Sequence, residues 1–302
     1  MTYKVFNSSD TNVKKFVFEW EKTKDIKEAI AEAVLYRYGS YQKRTVICCS
    51  VMSGCPVGCT FCRTGRFFIR NLSAREIIDQ VDTVIRDSVL GDTKTDDIEK
   101  FQIMFMSMGE PMQNYDNLEE AIKVLNVKYP NAQLLVSTSA PQEIEKVFSR
   151  FIALSQLIDK VGLQFSVHES LDENRAKLIP TKTCTLRQIS TLGNTWAAFT
   201  NRKPFYNYCV HEGNNTKEDA KRLLEMFNPR VWECTLSVIC EKDESVKSSI
   251  DRQLDIINEF QKYMLEGGAS LRVFNPAGQD DIGGGCGQLW YFQEWLQKNE
   301  KV

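Results

Sequence analysis

Along the chain, short runs of apolar, β-favouring residues alternate with stretches whose apolar positions recur at helical spacing. The runs are TVICCSV (45–51), FQIMFMS (101–107), AQLLVST (132–138), VGLQFSV (161–167), FYNYCVH (205–211) and WECTLSV (232–238). Near-continuous apolar strands of this kind are buried on both faces, as in a parallel sheet. The segments between them start near Ser73, Asn117, Pro141, Thr185, Thr216 and Val246. Ser, Thr and Asn at such starts fit helix N-caps. Six β-then-α units in series predict an α/β fold, as a partial barrel or an open doubly wound sheet.

The first 44 residues follow a different pattern. KFVFEWE sets Phe16, Phe18 and Trp20 on one side at period two, which predicts a strand. AEAVLYRY (31–38) can pair with it across the charged turn around TKDIKE; on pattern alone a helix over 25–37 competes. GQLWYFQEWLQKNEK at the other end reads as a closing amphipathic helix. The expected organisation is residues 1–44 as an N-terminal extension with a β-hairpin. Residues 45–302 then form the main α/β domain, with a Cys-bearing loop and a closing helix near its end.

Composition is that of a soluble globular protein, 42% apolar and 26% charged. No apolar run reaches the roughly 18 residues of a membrane span, and MTYKVFNSSD lacks the apolar core of a secretory signal. A cytoplasmic protein with no membrane association is therefore expected. The net charge of −2, from 38 basic and 40 acidic residues, argues against non-specific gripping of a long duplex. A local basic face stays open.

Ten cysteines are many for a reducing compartment, where clustering points to metal or catalysis rather than a disulfide frame. Three sit in CPVGCTFC, directly after the strand 45–51: Cys55, Cys59 and Cys62. Thiolates at that spacing can take three corners of a [4Fe–4S] cube and leave the fourth iron open to a non-protein ligand. Structural zinc wants a fourth protein ligand. The only histidines, His168 and His211, lie far along the chain, and Cys48 or Cys49 would have to leave the strand to serve.

The loop resembles the signature of radical-SAM enzymes, and more of the chain resembles one branch of them, the RlmN/Cfr family of RNA adenine methyltransferases. The resembling blocks are ICCSVMSGCPVGCTFCRTGRFFIRNLSAREIIDQV (47–81), SMGEPMQNYDNL (107–118), LLVSTSAP (134–141), FSVHESLDENRAKLIP (165–180), YCVHEGNNTKEDAKRL (208–223) and DDIGGGCGQL (280–289). They run in family order over residues 15–290, so the family's N-terminal accessory domain is expected to be missing. The resemblance implies a partial (β/α)6 TIM-like barrel, with a [4Fe–4S] cluster and S-adenosylmethionine as cofactors. It implies methylation of C2 or C8 of an adenine in RNA, with a flavodoxin-like one-electron reductant as partner.

Carried over position by position, Cys286 is the methyl carrier and Cys48 the resolving cysteine. Cys48 takes the ring proton and releases the adduct as a disulfide. Glu32 matches a glutamate proposed as proton acceptor, and that match favours a strand over 31–38. Gly109, Glu110, Ser137, Ser166, His168 and Asn215 match cofactor contacts, and Cys55, Cys59 and Cys62 match the cluster ligands. The chain departs from the family in small ways. It reads GNNT for GVND and GGC for AAC, Gly278 or Gln279 stands where an arginine is expected, and the loop after Cys62 is one residue shorter. These departures leave the substrate open between ribosomal RNA, another RNA, and a DNA, nucleotide or peptide. A non-catalytic metal module that binds nucleic acid is the remaining alternative, and it has no use for a cysteine in GGGCGQL.

Overall fold

The computed structural model describes residues 1–238, 246–274, 282, 283 and 289, with the backbone alone at 238 and 246–253. Three antiparallel strands open the chain: β1 (Thr2–Asn7), β2 (Val13–Trp20) and β3 (Ala29–Arg37). β4 (Arg44–Cys49) follows, then a short hairpin of β5 (Met52–Gly54) and β6 (Phe68–Asn71), and α1 (Ala74–Val84). The βα units continue as β7 (Lys100–Phe105), α2 (Tyr115–Lys128), β8 (Gln133–Thr138), α3 (Glu145–Leu157) and β9 (Val161–Ser166). Then come α4 (Asp172–Leu178), α5 (Leu186–Thr200), β10 (Phe205–Val210), α6 (Lys217–Met226), β11 (Glu233–Val238), α7 (Val246–Glu266) and β12 (Leu271–Phe274).

All strands but β5 and β6 form one sheet in the order β1-β2-β3-β4-β7-β8-β9-β10-β11-β12. From β4 onward the neighbours are parallel. The six expected strands are all present, and the α/β class holds. A seventh parallel strand, β12, was not anticipated. The N-terminal part also differs from a hairpin: β1 makes it three-stranded, and β3 is a strand where a helix over 25–37 had competed. The expected closing helix lies outside the described residues. Among the described residues no helix is long and apolar enough to cross a membrane.

The helix starts have local causes. Ser73, Thr185 and Thr216 each close a capping box with the residue three ahead, Glu76, Gln188 and Asp219. Asn117 does not start α2. Its side chain instead accepts the Ala74 amide at 3.1 Å, so it joins two helices rather than capping one.

Alternation along the strands sorts the side chains into two layers. One face carries Ile47, Cys49, Ile103, Phe105, Val136 and Phe165, and packs against Ile77, Leu118, Phe151, Trp196 and Phe260 of the helices. The opposite face is inner. The sheet curls until Tyr36 of β3 meets Phe274 of β12, ring centroids 6.1 Å apart.

On that inner face lies a charged pair, Lys15 of β2 and Glu32 of β3, 3.6 Å apart and fully buried. Burial holds the Lys15 ammonium below its usual range, against the pull of Glu32. Removing one partner leaves the other charge in a dry interior. Lys15→Met is expected to destabilise the fold by about 3–5 kcal/mol. Glu32→Gln in the same chain is expected to restore much of that, as read from denaturant midpoints.

Candidate functional site: a thiol-lined cavity on the inner face

The chain leaves β4 through a tight turn in which the Val51 and Met52 amides both donate to the Met108 carbonyl, at 2.9 and 3.2 Å. β5 and β6 then clamp the cysteine loop between them. Gly54 has φ +78°, and a Cβ there would lie 2.1 Å from the Phe67 carbonyl oxygen, so only glycine fits. The Cys55 amide donates to that same carbonyl at 2.8 Å. The far side of the loop is tied to the end of α4: the Thr60 amide donates to Leu178 O at 2.9 Å, and Thr181 Oγ1 to Val57 O at 2.7 Å.

Cys55, Cys59 and Cys62 are each half-buried and all line one cavity. Burial pushes the Cys55 thiol up to about 12, so a thiolate there calls for a cation beside it. Three thiols on one cavity wall are a donor set that suits a multi-iron cluster, in which each takes its own corner.

The cavity opens on the inner face of the sheet, has a volume of about 190 Å³ and is partly open to solvent. Cys48 of β4 faces into it, 6% exposed, while Cys49 points the other way into the helical core. Gly109, Glu110, Ser137, Ser166 and His168 also line it.

Gly109 turns at φ +98°, and a Cβ there would strike Met52 Cβ at 2.5 Å. The Glu110 carboxylate is buried. It accepts from Thr138 Oγ1 at 2.5 Å, the Ser139 amide at 2.8 Å, Ser139 Oγ at 2.7 Å and the Met112 amide at 3.0 Å. Burial raises its pKa while these donors favour the anion. Four donors saturate a carboxylate. A carboxylate so held also orders the ends of β7 and β8.

His168 follows β9 in the left-handed conformation, φ +62°. Its Nδ1 accepts the Cys209 amide at 3.3 Å, and its ring meets Phe61 edge to face at 5.4 Å. Burial drops its pKa to about 3. The ring is therefore neutral, and with Nδ1 as acceptor the proton sits on Nε2.

Two expected residues, Glu32 and Asn215, do not line this cavity. Glu32 shares the inner face with Cys48 but pairs with Lys15. Asn215 is half-exposed in the loop after β10. Its neighbour Asn214 is fully buried and donates to the carbonyls of His168 and Cys209, at 2.8 and 2.9 Å. Cys286 lies outside the described residues. Ile282 and Leu289, on either side of it in the chain, pack in the same cluster as Cys48, and Leu289 lines the cavity.

Sequence reading passed over two further groups. Buried Arg175 donates to the carbonyls of Ser139, Ser166, Val167 and Cys184 and to Thr183 Oγ1, which ties the ends of β8 and β9 together. Asn114 Nδ2 donates to Val51 O and Leu72 O, at 2.7 and 2.8 Å, and so fixes both ends of the cysteine hairpin. Both stand among polar residues, in DENRAKL and MQNYDN, so the local pattern carried no signal for either.

No protein-family model matches the chain. A probable dual-specificity RNA methyltransferase RlmN of Koribacter versatilis is 30% identical over 258 residues, covering 83% of this chain and 70% of its own. The dual-specificity RNA methyltransferase RlmN of Wolinella succinogenes is 32% identical, covering 89% of this chain and 70% of its own. Among solved structures, a radical SAM methyltransferase from Sphaerobacter thermophilus superimposes with a TM-score of 0.75 at 25% identity. That match covers 95% of this chain and 80% of the other.

A histidine held near 3 in the fold but near 6.5 when unfolded takes up a proton only on unfolding over that range. Stability is therefore expected to fall as pH drops below about 6.5, down toward the folded value. The check compares urea unfolding of the wild type and His168→Asn between neutral and acid pH. The variant should show the shallower slope.

Proposed function

The chain belongs to the RlmN family of dual-specificity RNA methyltransferases, and from that membership we propose that it methylates an sp2 carbon, C2 or C8, of an adenine in RNA through an S-methylated Cys286. One observation carries the reading. β4 turns Cys48 into the same cavity that the three thiols of CPVGCTFC line.

In this reading Cys55, Cys59 and Cys62 hold a [4Fe–4S] cluster, and Gly109, Glu110, Ser137, Ser166, His168 and Asn215 contact S-adenosylmethionine. Bound there, the two supply a methyl group and the one-electron chemistry that activates it. An adenine ring carbon is too weak a nucleophile to take a methyl cation directly, so the chain provides a sulfur carrier, Cys286. Once that carbon is joined to the base, Cys48 removes the ring proton, with Glu32 as its acceptor. Cys48 as thiolate then attacks the Cys286 sulfur. The carbon–sulfur bond breaks, the carbon keeps the electron pair and takes a proton, and the two cysteines end as a disulfide. An external reductant, flavodoxin-like for the one-electron step, completes the partners. Two details support the reading. Glu32 lies two residues before Val34, the partner of Cys48, and so on the same face of β3, and Leu289, three positions after Cys286 in the sequence, lines the cavity.

Mass spectrometry of anaerobically prepared protein tests the carrier. A peptide containing Cys286 is expected about 14 Da heavier in a fraction of molecules, one methylene. Cys286 that stays unmodified in cluster-loaded protein supplied with S-adenosylmethionine sinks the carrier role. Cys48→Ala is expected to accumulate a covalent protein–RNA adduct on incubation with substrate and reductant. Normal turnover without adduct rules out the resolving role.

A further inference from the structure

Part of the cavity wall is apolar: Val34, Tyr36, Met104, Met106, Phe274 and Leu289 line it together with Cys48, and Arg272 of β12 lines the same cavity. Phe274 is half-buried and meets Tyr36 edge to face, ring planes at 79°. Tyr36, Cys48 and Met104 share one packed cluster, with Phe274 and Met106 against it. Protein interiors normally fill such surfaces with neighbouring side chains. Here an aromatic ring and two thioethers border open space instead. Rings and thioethers together offer a flat, polarizable surface, which suits a planar π-system better than an aliphatic chain.

We propose that Phe274, backed by Tyr36, is the stacking platform for a planar nucleobase that enters the cavity beside Cys48, the base belonging to a single-stranded or flipped-out nucleotide. The assignment rests on the RNA-methyltransferase reading. It divides the cavity by chemistry. Glu110, His168 and the thiols occupy the polar part, and the base lies against the apolar part, one edge toward the β4 sulfur. Stacking tolerates any base, so the platform supplies residence, while the choice of adenine falls to polar groups around its edge.

Photocrosslinking of the full chain with a single-stranded oligoadenylate carrying 8-azidoadenosine tests the location. The crosslinked peptide is expected to contain Phe274 or Tyr36. Anisotropy with a fluorescein-labelled oligoadenylate reads the strength. Phe274→Ala is expected to weaken binding on the order of 10- to 100-fold, and Phe274→Tyr, which keeps a ring, to bind as the wild type. Crosslinks confined to other peptides overturn the platform, as does unchanged affinity in a folded Phe274→Ala. If Phe274→Ala melts out, the crosslink position and the tyrosine variant still decide. A crosslink at the platform in protein that transfers no methyl to RNA leaves the platform standing and counts against the methyltransferase reading. Methyl transfer with the crosslink elsewhere does the reverse.

Discussion

In a strand, neighbouring side chains leave on opposite faces, and β4 applies that rule to two identical residues. Cys48 enters the cavity; Cys49, with the same thiol, is sealed in the helical core, where burial pushes its pKa far above the usual thiol range. A slip of one residue in register would exchange them and turn every other side chain of the strand over. That slip is resisted from both sides. β3 pairs antiparallel with β4 from Val34↔Cys48 to Arg37↔Thr45, and β7 pairs parallel from Arg44↔Lys100 to Cys49↔Phe105. The helical core adds Ile47 and Cys49 to one side. Chemistry on the inner face is thus paid for by packing on the outer one.

The polar part of the cavity depends on two buried charges that the chain satisfies by itself. Glu110 takes four donors, and Arg175 gives its hydrogens to four carbonyls and a hydroxyl. A buried ion without partners is costly, and one fully hydrogen-bonded becomes a rigid joint. These two joints hold the loops after β7, β8 and β9 at the carboxyl ends of the strands, where parallel α/β sheets gather their ligands. Lys15 and Glu32 are joined differently, by a pair 3.6 Å long in a region of otherwise apolar side chains. That pair joins β2 to β3 within the antiparallel extension rather than shaping a loop.

Much of this was legible from residue order. Six parallel strands announced themselves as apolar runs too short for helices, and Ser73, Thr185 and Thr216 marked helix starts because a capping box is a local device. The cysteine triplet was legible for the same reason. Other parts were not local. β3 is buried on both faces and carries three Ala with a Leu and a Glu, so its period-two signal is erased and a helix competed. β12 has four residues, too few for any period, and β1 is mostly exposed. Arg175, Asn114 and Asn214 act through hydrogen bonds to carbonyls brought near by folding, which no spacing rule reports. Glu110 was recognised, but its saturation by Thr138 and Ser139 could not be read from the MGEP motif alone. The meeting of Tyr36 with Phe274 spans most of the chain, and only the curl of the sheet creates it.

The two threonine anchors of the cysteine loop have a temporal meaning. Thr60 and Val57 are bonded to Leu178 and Thr181, more than a hundred positions downstream. Contacts of such separation form late, after the intervening strands and helices have docked. The loop therefore reaches its final shape only when the chain through α4 has been synthesised and folded.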